Sequence, residues 1–293
     1  MKWQGRQGSS NVRMGGGKAV GGGIGGIVIG LILWLVFGVN PMQALQTGQV
    51  VAGGGGGSTI TDANDNSRDT QFVKVVLGDT EAVWHQIFQE GGATYKEPTL
   101  VMFKGQINSA CGGATAATGP FYCPGDQTVY LDTSFFTEMR QKFDISGDQQ
   151  GSGDAENRNR AGDFAQAYVI AHEVGHHVQT LMGISQKVNQ ARQQVNTAQA
   201  NALSVRQELQ ADCFAGVWAN RNQQRVQFLE PGDIDEAINA AGKIGDDHLA
   251  EMSGRAVAPD NFTHGTSQQR VNWFTRGFQS GDIQSCDTFS GAI

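Results

Sequence analysis

The amino-acid sequence predicts an α+β fold, a mainly helical domain with a small β-sheet, preceded by one transmembrane helix. Three observations carry that prediction. Apolar residues recur at helical spacing through most of the chain after residue 67, two short runs at 99–103 and 128–132 have the character of strands, and residues 19–39 are uncharged and strongly apolar. The chain has 293 residues, enough for a real core, and its 41 glycines are unevenly spread, clustering before residue 60 and in a few loops, so the N-terminal part is read separately from the rest.

Residues 1–18 carry Lys2, Arg6, Arg13 and Lys18 and no acidic side chain, which reads as a basic cytoplasmic leader. The run 19–39, with Ile27, Val28, Ile29, Leu31, Ile32, Leu33, Trp34 and Leu35 at its centre, is long enough to cross a bilayer and lacks the amphipathic pattern of a core helix. It is long for a signal-peptide core, and residues 40–44 offer a poor small-x-small cleavage site, so an uncleaved anchor is expected. Its interspersed glycines suit self-association through close helix contact. Positive charge on the N-terminal side keeps that end in the cytoplasm and exports the remainder through a single crossing. Residues 40–66, with five consecutive glycines at 53–57, read as a flexible linker.

The domain proper is expected over 67–293. Beyond residue 40, without the four leader charges, the chain has 17 basic against 28 acidic residues, a net charge of −11, which repels phosphates and points away from nucleic acid toward peptide or protein partners. Its first segment, 68–89, reads as two short helices around Gly78-Asp79. After the strand at 99–103, Cys111 and Cys123 flank a loop, and a second strand follows at 128–132. Outside the cytoplasm those two cysteines can bridge, by proximity, leaving Cys213 to pair with Cys286. A helix over 134–143 with Ser134 as N-cap, a polar loop over 145–162, and an apolar helix from Phe164 to Met182 stopping at Gly183 come next. Residues 186–202 read as an exposed helix or long connection. Further helices are expected over 203–222, 234–252 and 267–278.

The helix ending at Gly183 contains His172-Glu173-Val174-Gly175-His176. Histidines four residues apart lie one turn apart on one helix face and can reach one zinc ion, while Glu173, rotated off that direction, borders the same cleft as a candidate general base for an attacking water. The alternative is a chance cluster on a surface helix, against which stand the apolar neighbours that bury these rings. A catalytic zinc takes three protein ligands and keeps one position open. Gln179 and Met182 stand where the extended His-x-x-Gly-x-x-His pattern has its glycine and third histidine, so the third ligand comes from elsewhere. Glu208 is the first candidate, with Asp212 one turn later placed to hold a ligand histidine by its far nitrogen. The alternative makes both ordinary exposed acids, and Glu230, Asp246, Asp247, His248 and His264 are rivals. His177 diverges from His176 by about 100° and reads as packing or as support behind the ligands. His85 reads as structural.

The blocks Gly119-Pro120-Phe121-Tyr122-Cys123-Pro124, Ala171 to Gln179, Glu208-Leu209-Gln210-Ala211-Asp212-Cys213 and His264 to Val271, with the basic leader and anchor, resemble the bacterial neutral zinc metallopeptidases of the YpfJ type over nearly the whole chain. The Glu-x-x-x-Asp element is similar to that of the thermolysin-like gluzincins. The resemblance implies a zincin-like metallopeptidase domain with one zinc ion on His172, His176 and Glu208, with Asp212 supporting a ligand and Glu173 as catalytic base. It favours His264 as the donor to the oxyanion, ahead of His248 and Tyr130. The expected activity is zinc-dependent endopeptidase action on proteins or peptides at the outer face of the bacterial cytoplasmic (inner) membrane, in a periplasmic or extracytoplasmic domain. Substrate would add to the sheet edge at 128–132. The alternative is a catalytically inactive, zinc-stabilised, membrane-anchored binding scaffold.

Overall fold

A computed structural model describes residues 1–16, 59–63, 66–115, 118–145, 147 and 162–293. Its sheet has five strands: β1 (Val12–Gly16), β2 (Thr59–Asp62), β3 (Thr99–Phe103), β6 (Phe121–Cys123) and β7 (Thr128–Asp132), in the order β2-β1-β3-β7-β6. β3 runs parallel to both β1 and β7, in register Val101 with Arg13 and with Tyr130, whereas the outer strands β2 and β6 are antiparallel to their neighbours. All five residues of β7 are buried, as befits a central strand covered on both faces. The expected substrate edge at 128–132 is therefore interior, and β6 is the edge on that side. A separate hairpin, β4 (Gln106–Ser109) and β5 (Gly112–Thr115), is tied to β6 by the Cys111–Cys123 disulfide.

Helices pack against this sheet and against one another. α1 (Arg68–Glu90) starts at Ser67, whose side chain accepts from the Thr70 amide. It is one helix rather than two. Gly78 does not break it; a Cβ there would sit 3.1 Å from the Ser9 amide nitrogen, so the glycine admits a neighbouring segment. α2 (Phe135–Gln141) follows Ser134, whose hydroxyl bonds Asp132 instead of capping the helix. α3 (Asp163–Leu181) carries the histidines and is buried along nearly its whole length, stopping before Gly183 at φ 72°. After the short α4 (Ile184–Arg192) comes α5 (Thr197–Val226), whose Asn196–Gln199 capping box begins the helix within the stretch expected to be an exposed helix or long connection. The helix expected over 234–252 is two, α6 (Asp233–Lys243) and α7 (Asp246–Met252); Asp246 turns its side chain to the amides of Thr263, His264 and Gly265. α8 (Ser267–Ser280) lies on α5, and the Cys213–Cys286 disulfide fastens the tail beyond it to α5. Phe164, Tyr168, Phe214, Trp218 and Phe274 fill the core between α3, α5 and α8.

The N-terminal residues differ most from expectation. Instead of forming a separate leader, residues 1–16 belong to the domain. Met1 and Trp3 are buried, and the Trp3 indole packs edge-on to Phe72 and donates to Asp163 at 2.8 Å. Arg6 pairs with Asp79, and the Ser9 hydroxyl donates to Glu81 at 2.7 Å. β1 then inserts between β2 and β3. The expected anchor at 19–39 and most of the linker at 40–66 lie outside the described residues. Among the described residues no helix is long and apolar enough to cross a membrane.

Candidate metal centre

α3 and α5 approach closely where the chemistry is placed. A Cβ on Gly175 would lie 3.1 Å from the Ala211 Cα, so glycine at that turn lets the two backbones come together. His172 and His176, one turn apart, face Glu208 across this contact, their rings 4.8 Å apart and nearly perpendicular. His172 Nε2 is 3.2 Å from one Glu208 oxygen and His176 Nε2 is 3.4 Å from the other. The ligand atoms of the three residues all lie within 4.8 Å of one another. Among the described residues no other group of His, Cys, Asp and Glu converges in this way. Three of the rival ligands are engaged elsewhere: Glu230 lies beside the Met1 nitrogen, Asp246 accepts from His264, and Asp247 accepts from Ser267; neither His248 nor His264 joins the converging group.

What stands behind each histidine fixes which nitrogen faces Glu208. Asp212, fully buried, lies 2.8 Å from His172 Nδ1 and also accepts from the Tyr168 hydroxyl at 2.6 Å and from Arg270 Nε and Nη2 at 2.9 and 3.0 Å. A carboxylate can only accept there, so His172 Nδ1 carries the proton. His176 Nδ1 is 2.9 Å from Gln179 Oε1, an amide oxygen that likewise only accepts. Both Nε2 atoms are thereby turned to Glu208, and two imidazole nitrogens with one carboxylate form a donor set suited to zinc. The residues present fit that ion.

In the metal-free protein the same geometry loads the histidines with protons. Burial opposes the charged imidazole of His172, yet Asp212, helped by Glu208, outweighs it and pushes the group up to about 10. His176 is also raised, since Glu208 overcomes its burial, and Glu208 in turn is held well below the carboxylate range by the two histidines despite its own burial. Metal binding at this site must displace protons. Burial raises the Glu173 carboxyl, partly offset by His172 and His176, the electrostatic environment of a proton-transferring acid.

His264 lies outside the ligand group. Its ring Nδ1 is 3.1 Å from Asp246, which more than offsets burial and raises the imidazole, and Glu208 is near enough to add to that shift. The pairing leaves His264 Nε2 as the free edge of the ring. Tyr130 instead donates to Asp126. His177 is buried with Nε2 donating to the Lys96 carbonyl at 2.6 Å and Nδ1 accepting from the Tyr122 hydroxyl at 3.1 Å, which ties α3 to β6. His85 is exposed and pairs with Glu97. The sequence alone assigns no role to Gln179, Gln210, Tyr168 or Arg270, although Gln179, Gln210 and Arg270 lie within the blocks that carry the family resemblance and Gln179 stands where a known pattern has a glycine.

The chain matches a family model described as "Putative neutral zinc metallopeptidase" over residues 1–289. It is 47% identical to "Uncharacterized protein YpfJ" of Escherichia coli (strain K12), an alignment covering 100% of both chains. It is 39% identical to "Uncharacterized protein Rv2575" of Mycobacterium tuberculosis (strain ATCC 25618 / H37Rv), across 87% of this chain and 83% of that protein. No solved structure matches it.

Proposed function

From the premise that the chain belongs to this zinc metallopeptidase family, we propose that it hydrolyses peptide bonds in proteins or peptides with one zinc ion held by His172, His176 and Glu208. The observation that carries the proposal is the convergence of those three ligands with both histidines pinned from behind. Zinc so held would act as a Lewis acid on the scissile carbonyl and would acidify water.

The protein's own groups supply the proton traffic and the charge. Glu173, with its carboxyl raised by burial, takes a proton from the attacking water and delivers it to the leaving amine nitrogen. His264, held on Nδ1 by Asp246, donates from Nε2 to the oxygen that becomes negative. An extended substrate would add to the outer edge of β6 at Phe121–Cys123, which His177 and Tyr122 brace against α3. Three ligands leave a position open, whereas the scaffold alternative needs a fourth from protein, and none converges among the described residues. The paired cysteines Cys111–Cys123 and Cys213–Cys286 support a location outside the cytoplasm, with 19–39 as the membrane attachment.

The test is metal content and hydrolysis of unfolded casein by the purified full chain, before chelation, after it, and after zinc is restored. Stoichiometric zinc and activity that disappears and returns with it are expected. Zinc-replete protein without hydrolysis would favour the scaffold.

A further inference from the structure

Gln179 stands where the extended histidine pattern has a glycine, and it is fully buried, in contact with a metal-facing ring. Its amide is oriented by a chain of partners whose polarity is fixed at the far end. The Cys286 backbone carbonyl can only accept, and Gln210 Nε2 donates to it at 3.0 Å. Gln210 Oε1 therefore points back, and Gln179 Nε2 donates to it at 3.1 Å and to the Gln207 carbonyl at 2.7 Å. Gln179 Oε1 is left to accept from His176 Nδ1 at 2.9 Å. At each step the alternative amide orientation would set two donors or two acceptors against each other in a buried place.

We propose that Gln179 and Gln210 are positioning residues: an amide relay, referenced to the Cys286 carbonyl, that fixes the tautomer and ring plane of His176 and presents its Nε2 to the metal. The Cys213–Cys286 disulfide holds the end of the relay, and Cys213 adjoins Asp212 in the chain, so one bridge steadies the support of both histidines. The proposal rests on the zinc reading above and is separable from it.

The test uses Gln179→Met, which keeps the length of the side chain and removes its strong acceptor. Zinc affinity, measured against a competing chelator, should fall roughly 10- to 100-fold. In the zinc-loaded protein, the His176 ring N–H proton should lose its protection from solvent exchange. Gln210→Met, one step further from the ion, should weaken zinc binding less, and it reads the relay should Gln179→Met fail to fold. Wild-type affinity together with an unchanged ring proton in the variant would overturn the relay. Failure of the wild-type protein to bind zinc would instead sink the reading on which it rests.

A second inference comes from a different part of the molecule. Gly16 and Thr59 are register partners on adjacent strands, and β1 lies inside the sheet, parallel to β3. Trp3, Arg6 and Ser9 are committed to Asp163, Asp79 and Glu81. Asp163 is the first residue of α3, so this segment also braces the start of the histidine helix. A single crossing by 19–39 would place these partners on opposite faces of a bilayer. We infer that residues 1–16 lie on the same side of the membrane as His172 and His176, whatever path residues 17–58 take.

Membrane-impermeant maleimide labelling of full-length Gln7→Cys and Gln268→Cys chains in intact spheroplasts tests this, since both positions are exposed and the four native cysteines are bridged. Labelling of both without permeabilisation is expected. If both require permeabilisation, the shared side stands but it is the cytoplasm, which overturns the proposed location. Labelling at 268 alone overturns the inference.

Discussion

The two histidines of the candidate centre face Glu208 alike and are supported in opposite ways. Behind His172 stands a buried ionic cluster of Asp212, Arg270 and the Tyr168 hydroxyl; behind His176 stands a neutral ladder of Gln179 and Gln210 ending on a backbone carbonyl. The difference teaches that orientation and basicity are separate tasks. An amide oxygen fixes the direction of a ring with a modest pull on its proton, whereas a carboxylate fixes direction and also stabilises the imidazolium. His172 is accordingly pushed up to about 10 by Asp212 against its burial. The ionic side carries the greater risk, because removing one partner of a buried ion pair strands the other.

The largest effect should come from deleting what the two sides share. Glu208→Ala takes the facing carboxylate from both rings and should lower zinc affinity by more than about 100-fold, as read by chelator competition. Asp212→Ala comes next and should break the symmetry between the sides. Arg270 is left buried without its carboxylate, so equilibrium denaturation should show a loss of about 3–5 kcal/mol in addition to weakened zinc binding. Gln210→Ala, on the neutral side, should cost only about 1–3 kcal/mol through the unsatisfied Gln179 amide. If the Gln210 loss equals that of Asp212, the distinction between the sides fails.

Acidity sharpens the same comparison. His172 is raised from 6.5 to about 10 in the metal-free fold, so its pairing stabilises that fold fully below pH 6.5 and loses the contribution as pH rises through about 10. The proton on Nε2 must leave for a metal to enter, so apparent zinc affinity should climb with pH across that window. A titration of affinity against pH checks the slope, and a flat profile contradicts the assignment. The smallest effect should follow reduction of Cys213–Cys286, which loosens the end of the relay without touching a ligand. Zinc affinity of the reduced, still folded protein should fall by less than in Gln179→Met.

Much of the candidate site was legible in the chain because it depends on local spacing. A helix places residues four apart on one face, so His172 with His176 and Glu208 with Asp212 could each be read as a pair. The helix stop at Gly183 and the paired cysteines were readable for similar reasons. The supports were not, since they join segments far apart in sequence. Arg270 meets Asp212 across 58 residues, and Gln210 meets the Cys286 carbonyl across 76. Residues 1–16 misled for a physical reason as well: their basic side chains match a membrane leader, whereas Arg6 neutralises Asp79, and the small residues of β1 leave room for tight packing, the Cβ of Gly15 being replaced by Ile107 and Val101. Gly78, read as a break, proved to be the place where that segment passes.

The account's central claim is that Glu173 moves the proton of the attacking water while His172, His176 and Glu208 hold the metal. Glu173→Gln separates the two tasks, since it keeps shape and removes the base. Zinc content and casein hydrolysis measured side by side with wild type should show full zinc and a rate lower by at least about 100-fold. Undiminished hydrolysis in that variant would contradict the account.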